Sequence, residues 1–405
     1  MVNDEKKDRD LKDLMLMAKQ RLLGGPSALT AVKGPGSLAC LSVRFALELD
    51  VSDEYGREVT LTQIERHMRL CVAATAGFEK LITTTGSEPF LAEAARQLTA
   101  DSGADPVRHL AENSSLRHVQ LGPRGELVAA LIVMRARDAA AGDKRWVSVD
   151  DFMRALLPVS AYEQLQRSKP RFWRSGEDKP FREAFEGYHM WFNHVIKVRD
   201  PDMINTEHLW KFITRGAMVM CVDNPRGIDF VLPICARKQK LSRRSVTAIL
   251  IQVKSDKRFG RSIDEVLFDL MEPFGAGLFS DSEPGDHDDD AAGPLPVIRL
   301  VFALGSEHAG VLIPAVPERR DGGRDGSAFH DVWCAGLSPD TFRDIDSGGA
   351  LASYRAVLRR CLQPREVLDL TEVEDAYWDE ATATAREEQR RNMAALSWRR
   401  AQLSA

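Results

Sequence analysis

Gly227-Ile228-Asp229, a polar loop, and then Val246-Thr247-Ala248-Ile249-Leu250-Ile251-Gln252-Val253-Lys254 form the stretch on which the reading of this chain turns. Val, Ile, Leu and Thr dominate the second run and no breaker interrupts it, which is the composition of a buried strand. Side chains alternate faces along a strand, so Gln252 and Lys254 share one face while Ile249, Ile251 and Val253 share the other. An earlier strand, Ile228 to Ile234, brings Asp229 alongside if the two pair as a hairpin across Cys235 to Ser245. A carboxylate, an amide and an amine then meet at one end of an apolar sheet.

Working outward, Thr206 to Arg215 reads as a helix and Ala217 to Val222 as a short strand before that hairpin. Ser262 to Met271 reads as a helix capped by Ser262, and Val297 to Leu304 as another apolar strand. Phe181 to Val198 is expected to be a further helix, set off by Asp200-Pro201. The first 160 residues read as mostly helical: Asp4 to Leu23 ends at Gly24-Gly25-Pro26, and Gly125 to Ala140 and Val147 to Leu157 follow, the latter capped by Ser148. Leu61 to Leu98 has helical periodicity broken between Thr83 and Pro89, with Ser87 expected to cap the next helix and Glu88 and Pro89 suited to its first turn. The polar stretch Arg167 to Pro180 reads as a linker. The expected organisation is a helical region over 1–160, an α/β domain over 170–360 and a charged helical tail over 361–405. Within the second, Asp281 to Gly293 lacks the apolar content to fold.

The chain has 405 residues, 44% of them hydrophobic, and a net charge of −5, so any nucleic-acid surface has to be local. The local basic set is Arg237, Lys238, Lys240, Arg243 and Arg244 in the hairpin loop, continued by Lys257, Arg258 and Arg261, where it is placed to grip phosphates. The six cysteines are far apart and form no zinc spacing, which reads as reduced core thiols. No apolar stretch approaches the length of a membrane span, and the charged start lacks a signal segment, so the expectation is an intracellular protein of nucleus or cytoplasm. His189 and His194 are five apart and do not form a metal pair on a helix. Trp191, Phe192, Trp210 and Phe212 read as core aromatics.

The element order with Asp229 and Gln252-Val253-Lys254 resembles the PD-(D/E)XK, or restriction-endonuclease-like, superfamily, in the branch where Gln replaces the middle Glu. More broadly, Ser87-Glu88-Pro89-Phe90-Leu91-Ala92-Glu93-Ala94 and Tyr188 to Lys254 resemble expanded families of fungal proteins related to Crinkler-type effectors. The first resemblance spans about Phe181 to Gly305 and implies an αβββαβ core with a mixed sheet and a Mg²⁺- or Mn²⁺-dependent phosphodiesterase acting on DNA more than RNA. It implies that Asp229 and the backbone carbonyl of Val253 hold the metal, with Gln252 supporting the site and Lys254 aiding the nucleophile. A helix glutamate completes many such sites, and Glu207 is favoured here over Glu186. The second resemblance implies a separate ATPase module as partner, since this chain carries no GxxxxGK[ST] sequence of its own.

The chemistry accounts for those residue types. Phosphodiester hydrolysis requires an aimed hydroxide, neutralisation of phosphate charge and help for the leaving oxygen. Magnesium prefers oxygen ligands and binds through one or two carboxylates plus the substrate phosphate. Because Gln252 is uncharged, the site is less negative than its Glu counterpart and its metal affinity correspondingly lower. Two readings compete with the nuclease: a nuclease fold serving as an interaction module for nucleic acid or protein, and a remnant of a larger effector-like protein.

Overall fold

The computed structural model describes residues 2–362 apart from 26–31, 33, 50, 52–53, 75–80, 104, 113–118, 121–124, 143, 172–178, 222–226, 238, 261, 274–277, 279–294 and 315–327. The acidic stretch Asp281 to Gly293 and the charged tail beyond residue 362 therefore lie outside the described residues. Residues Met1–Cys361 cluster as one compact unit, so the expected boundary between 160 and 170 falls inside it.

The N-terminal part begins with α1 (Val2–Leu23) and α2 (Gly34–Phe45), the short strand β1 (Glu48–Leu49) and α3 (Glu54–Arg66). The periodic stretch after Leu61 does not stay helical: Arg69–Ala74 (β2) and Leu81–Thr85 (β3) pair as an antiparallel hairpin. Cys71 on β2 is exposed, unlike the buried thiols of Cys40, Cys221, Cys235 and Cys334. The next helix, α4 (Pro89–Asp101), is capped by Glu88, whose carboxylate accepts from Phe90 N–H, with Pro89 in the first turn; Ser87 is not its cap. Side chains of α1, α2 and α4 share a small core that includes Leu22, Cys40 and Leu98.

After α5 (Pro106–Glu112) and β4 (Val119–Gln120), which pairs with β1, comes α6 (Glu126–Ala141). It is apolar along most of its length, and it is buried accordingly against the large sheet. β5 (Val147–Ser148) leads into α7 (Val149–Leu156), where Ser148 Oγ accepts from Asp151 N–H at 3.0 Å as expected of a cap. α8 (Val159–Arg167) follows, and the stretch beyond it is anchored, since buried Arg171 pairs with Glu265 at 2.8 Å and with Asp331 at 3.5 Å.

Phe181 to Val198 is not one helix. A four-residue α9 (Phe181–Ala184) gives way at Gly187, φ +79°, to β6 (Tyr188–Met190) and β7 (His194–Val198). Local periodicity was overridden by strand pairing, because β7 lies parallel to β8 (Ala217–Cys221) and β6 antiparallel to β9 (Phe230–Ala236). Between β7 and β8 lies α10 (Thr206–Arg215), capped by Asn205 and ended by Gly216 at φ +63°. It buries Leu209, Phe212 and Ile213, each worth about 1.5–3 kcal/mol on full burial.

β10 (Val246–Lys254) pairs antiparallel with β9 and parallel with β11 (Val297–Ala303). The linking helix α11 (Glu265–Leu270) is capped by Asp264, not Ser262. β12 (Gly310–Leu312) and β13 (Phe329–Ala335) complete the far edge, with β13 parallel to β11, and α12 (Leu351–Leu362) follows. The result is an α/β fold with a helical N-terminal region and a mixed sheet of nine described strands, within which α10-β8-β9-β10-α11-β11 supplies the αβββαβ order. One face of β10, through Ile249, Ile251 and Val253, packs in the core that holds α6 and α7; the other, through Ala248 and Leu250, packs in the core beneath α10 and α11.

Candidate functional site

The register of β9 and β10 builds the site. Phe230 pairs with Ile251, and one residue earlier Asp229 donates its N–H to Ile251 O at 2.9 Å. Beyond that point the ladder is continued by a side chain: Asp229 Oδ2 accepts from Val253 N–H at 2.5 Å. Asp229, Gln252 and Lys254 are thereby gathered at the end of the hairpin, as the alternation of side chains requires. Gly227 makes the entry turn possible, having φ +73° and little room for a side chain. A Cβ there would lie 3.0 Å from Leu270 Cβ and 3.1 Å from Gln252 Nε2.

Burial raises the Asp229 carboxyl above its ordinary value, opposed by the Val253 N–H and by the Lys254 charge. Gln252 is 2% exposed, and its Oε1 is buried without a hydrogen-bond partner among the described residues. Such an orphaned acceptor is costly, about 1–3 kcal/mol, and is the kind of group a cation or an ordered water satisfies. Lys254 is half-buried with its Nζ 5.9 Å from the centroid of the Phe259 ring. Val253 is buried, its Cγ1 3.1 Å from where a Cβ on Gly125 would stand at the head of α6.

Other expected residues are placed elsewhere. Glu207 is exposed at the start of α10 and pairs with Arg243 at 3.8 Å, in the loop that enters β10 at Val246. That is the opposite end of a nine-residue strand from Lys254, about 26 Å at the usual rise per residue. The exposed Arg237, Lys240, Arg243 and Arg244 belong to that same far loop, while Lys238 and Arg261 lie outside the described residues. Near the site end, Lys257 pairs with Glu307 at 3.4 Å, and Arg258 Nε donates to Asp256 at 2.7 Å. The basic set is thus two groups at two ends of β10 and not one patch. Among the described residues, no group of three or more His, Cys, Asp or Glu side chains is arranged to hold a metal. Nor is any helix among them long and apolar enough to cross a membrane.

A second polar constellation escaped the sequence reading. Ser87 Oγ lies 2.8 Å from His194 Nε2, and His194 Nδ1 lies 2.9 Å from Asn193 Oδ1. The helical spacing of 181–198 places both histidines on a helix, but His194 opens β7. No local signal joins Ser87 to a histidine 107 residues away.

The fold and the hairpin corner define an α/β protein with one deep carboxylate beside an unsatisfied amide. The chain belongs to a family described as a domain of unknown function, DUF8736, which matches residues 30–271 and so takes in Ser87, His194, Asp229, Gln252 and Lys254. No curated protein and no solved structure gives a significant match.

Proposed function

We propose that the corner formed by Asp229, Gln252 and Lys254 binds a divalent cation, Mg²⁺ or Mn²⁺, and hydrolyses phosphodiester bonds, with DNA as the substrate. The observation that carries this reading is the buried Gln252 Oε1, without a hydrogen-bond partner among the described residues, on the same strand end as a carboxylate and an amine. The donor set is all oxygen, as a hard cation prefers, with one carboxylate, which is the lower limit for magnesium bound jointly with a substrate phosphate. Asp229 would hold the ion through Oδ1 while Oδ2 stays on Val253 N–H. In an antiparallel ladder a residue presents its N–H and C=O to the same neighbour, so Val253 also turns its carbonyl toward the Asp229 side. When bound, the cation supplies Lewis acidity and lowers the pKa of an attacking water.

The remaining tasks fall to the chain itself. Lys254 orients the attacking water and offsets charge on the phosphate. Gln252 donates or accepts at the same locus without adding negative charge, so cation affinity depends on the substrate. A separate ATPase module is the partner proposed for the intact system. The second reading, an interaction module without catalysis, is favoured by one observation: Glu207 pairs with Arg243 at the far end of β10, leaving Asp229 as the carboxylate on the hairpin corner.

The test is supercoiled-plasmid nicking with Mg²⁺ or Mn²⁺, run in parallel with calorimetric Mn²⁺ binding, for wild type, Asp229→Ala and Lys254→Ala. Metal-dependent nicking lost in both variants supports the nuclease. Equal residual cutting in all three sinks it, and nucleic-acid binding that persists without metal or cleavage selects the module.

A further inference from the structure

Ser87, His194 and Asn193 form a hydrogen-bonded relay whose polarity can be worked out from its two ends. Asn193 Nδ2 donates to Pro89 O at 3.1 Å, so the amide must turn Oδ1 toward His194. An amide oxygen only accepts; His194 Nδ1 therefore carries the proton, and Nε2 is left as an acceptor. At the other end, Arg215 Nε donates to Ser87 Oγ at 3.2 Å, so the serine proton points away from Arg215 and to Nε2. A serine donating to an imidazole that is in turn oriented by a third side chain is the arrangement that activates a nucleophile, recognised by geometry and roles and not by chain order.

The surroundings suit that role. His194 is 1% exposed, whereas Ser87 is half-buried and reachable. Burial, with the Arg215 and Arg44 charges and against a hydrogen bond to the Gly216 backbone, holds the imidazole down at about 4, so Nε2 is unprotonated at neutral pH and takes the serine proton only as a weak base. Ser87 sits just ahead of the thirteen-residue α4, whose positive end is met by the Glu88 carboxylate that accepts from Phe90 N–H. The Arg215 guanidinium, also 3.4 Å from Ser87 O through Nη2, stands beside the same point. Ser87 and His194 both line a cleft of about 470 Å³, whose wall also includes the apolar Leu47 and Leu81 and the cationic Lys197 and Arg199.

We infer that Ser87 is a nucleophile for acyl transfer from a small carboxylic ester, with His194 as its general base and Asn193 as the residue that positions the imidazole. Ser87 Oγ bonds to the acyl carbon while its proton passes to His194 Nε2. The carbonyl oxygen takes the displaced electron pair and is met by Arg215. As the carbonyl re-forms, the ester C–O bond breaks and Nε2 returns the proton to the leaving alcohol. Water then repeats the sequence on the acyl-serine, releasing the acid. No metal takes part, which separates this site from the Asp229 corner.

The test treats the full chain, in EDTA, with a fluorophosphonate probe, followed by intact mass and peptide mapping. Attack by Ser87 Oγ forms the O–P bond, expels fluoride and sends the proton to Nε2. One adduct on Ser87 is expected, absent in Ser87→Ala and slowed about 10²–10⁴-fold in His194→Gln, which retains a hydrogen-bonding side chain at that position. Asn193→Ala slows labelling without abolishing it, and p-nitrophenyl butyrate gives a burst of nitrophenol equal to the enzyme concentration in wild type. Circular dichroism melts confirm that each variant is folded. A folded wild type with no adduct on Ser87, or labelling at Ser87 with the same rate in His194→Gln, overturns the assignment.

Discussion

Replacing Gly227 by Ala separates two costs that the hairpin corner combines, because Gly187 supplies a matched control. The two glycines have nearly the same backbone, φ +73° and +79°. At Gly187 a Cβ meets no atom of the described residues within 4 Å, whereas at Gly227 it meets Leu270 Cβ at 3.0 Å and Gln252 Nε2 at 3.1 Å. A left-handed conformation costs a residue with a Cβ about 1–2 kcal/mol, and this is the whole expected effect of Gly187→Ala. Gly227→Ala adds crowding against a packed helix and a buried amide, about 1–3 kcal/mol more for an overpacked site. The expected losses are therefore about 1–2 and about 2–5 kcal/mol, read from urea midpoints at a common m-value. If the corner binds the cation as proposed, the crowding on Gln252 makes Gly227→Ala weaken Mn²⁺ binding while Gly187→Ala leaves it unchanged. Equal urea shifts for the two variants would refute the close approach of Gly227 to Gln252 and Leu270, and with it the account of how the corner is held.

Three further outcomes follow from other contacts. Arg299 and Asp331 face each other across β11 and β13, both 1% exposed and joined by two bonds of 2.7 Å, so Asp331→Ala strands a buried guanidinium and costs about 3–5 kcal/mol. The double variant Arg299→Met with Asp331→Leu recovers most of that loss in thermal melts; a double variant no better than the single would contradict it. Ser148→Ala removes the cap on α7 and costs about 1 kcal/mol, and a change below about 0.3 kcal/mol in the urea midpoint would show that the Asp151 N–H is satisfied otherwise. Asp229 has a folded carboxyl raised above 3.8 by burial, so the folded state holds a proton that the unfolded state has released, and stability falls as pH rises through that window. Asp229→Asn lacks this fall; melting-temperature profiles of wild type and variant that run parallel from pH 4 upward would rule it out.

What the sequence by itself determined was whatever short-range pattern decides. Thr206 to Arg215 was legible as a helix because Asn205, an apolar stripe and Gly216 agree, and Val246 to Lys254 as a strand because its run is unbroken. The Asp229, Gln252 and Lys254 corner was legible because all three lie on one hairpin, where alternation and register place them without help from distant residues. Elsewhere local pattern was outvoted. The 181–198 stretch has helical spacing but becomes strand because β8 and β9, later in the chain, offer pairing edges. The same holds for β2 and β3 within the stretch expected to be helical. β13 was hidden by Asp331, which reads as polar until Arg299 and Arg171 arrive from other elements to neutralise it. Glu207 could not be assigned from spacing, since where its carboxylate points depends on how α10 lies across the sheet. Ser87, Asn193 and His194 share no local signal at all. Only tertiary structure brings the head of α4 against the start of β7, and hydrogen-bond direction, a property of three-dimensional contacts, then gives each of the three its role.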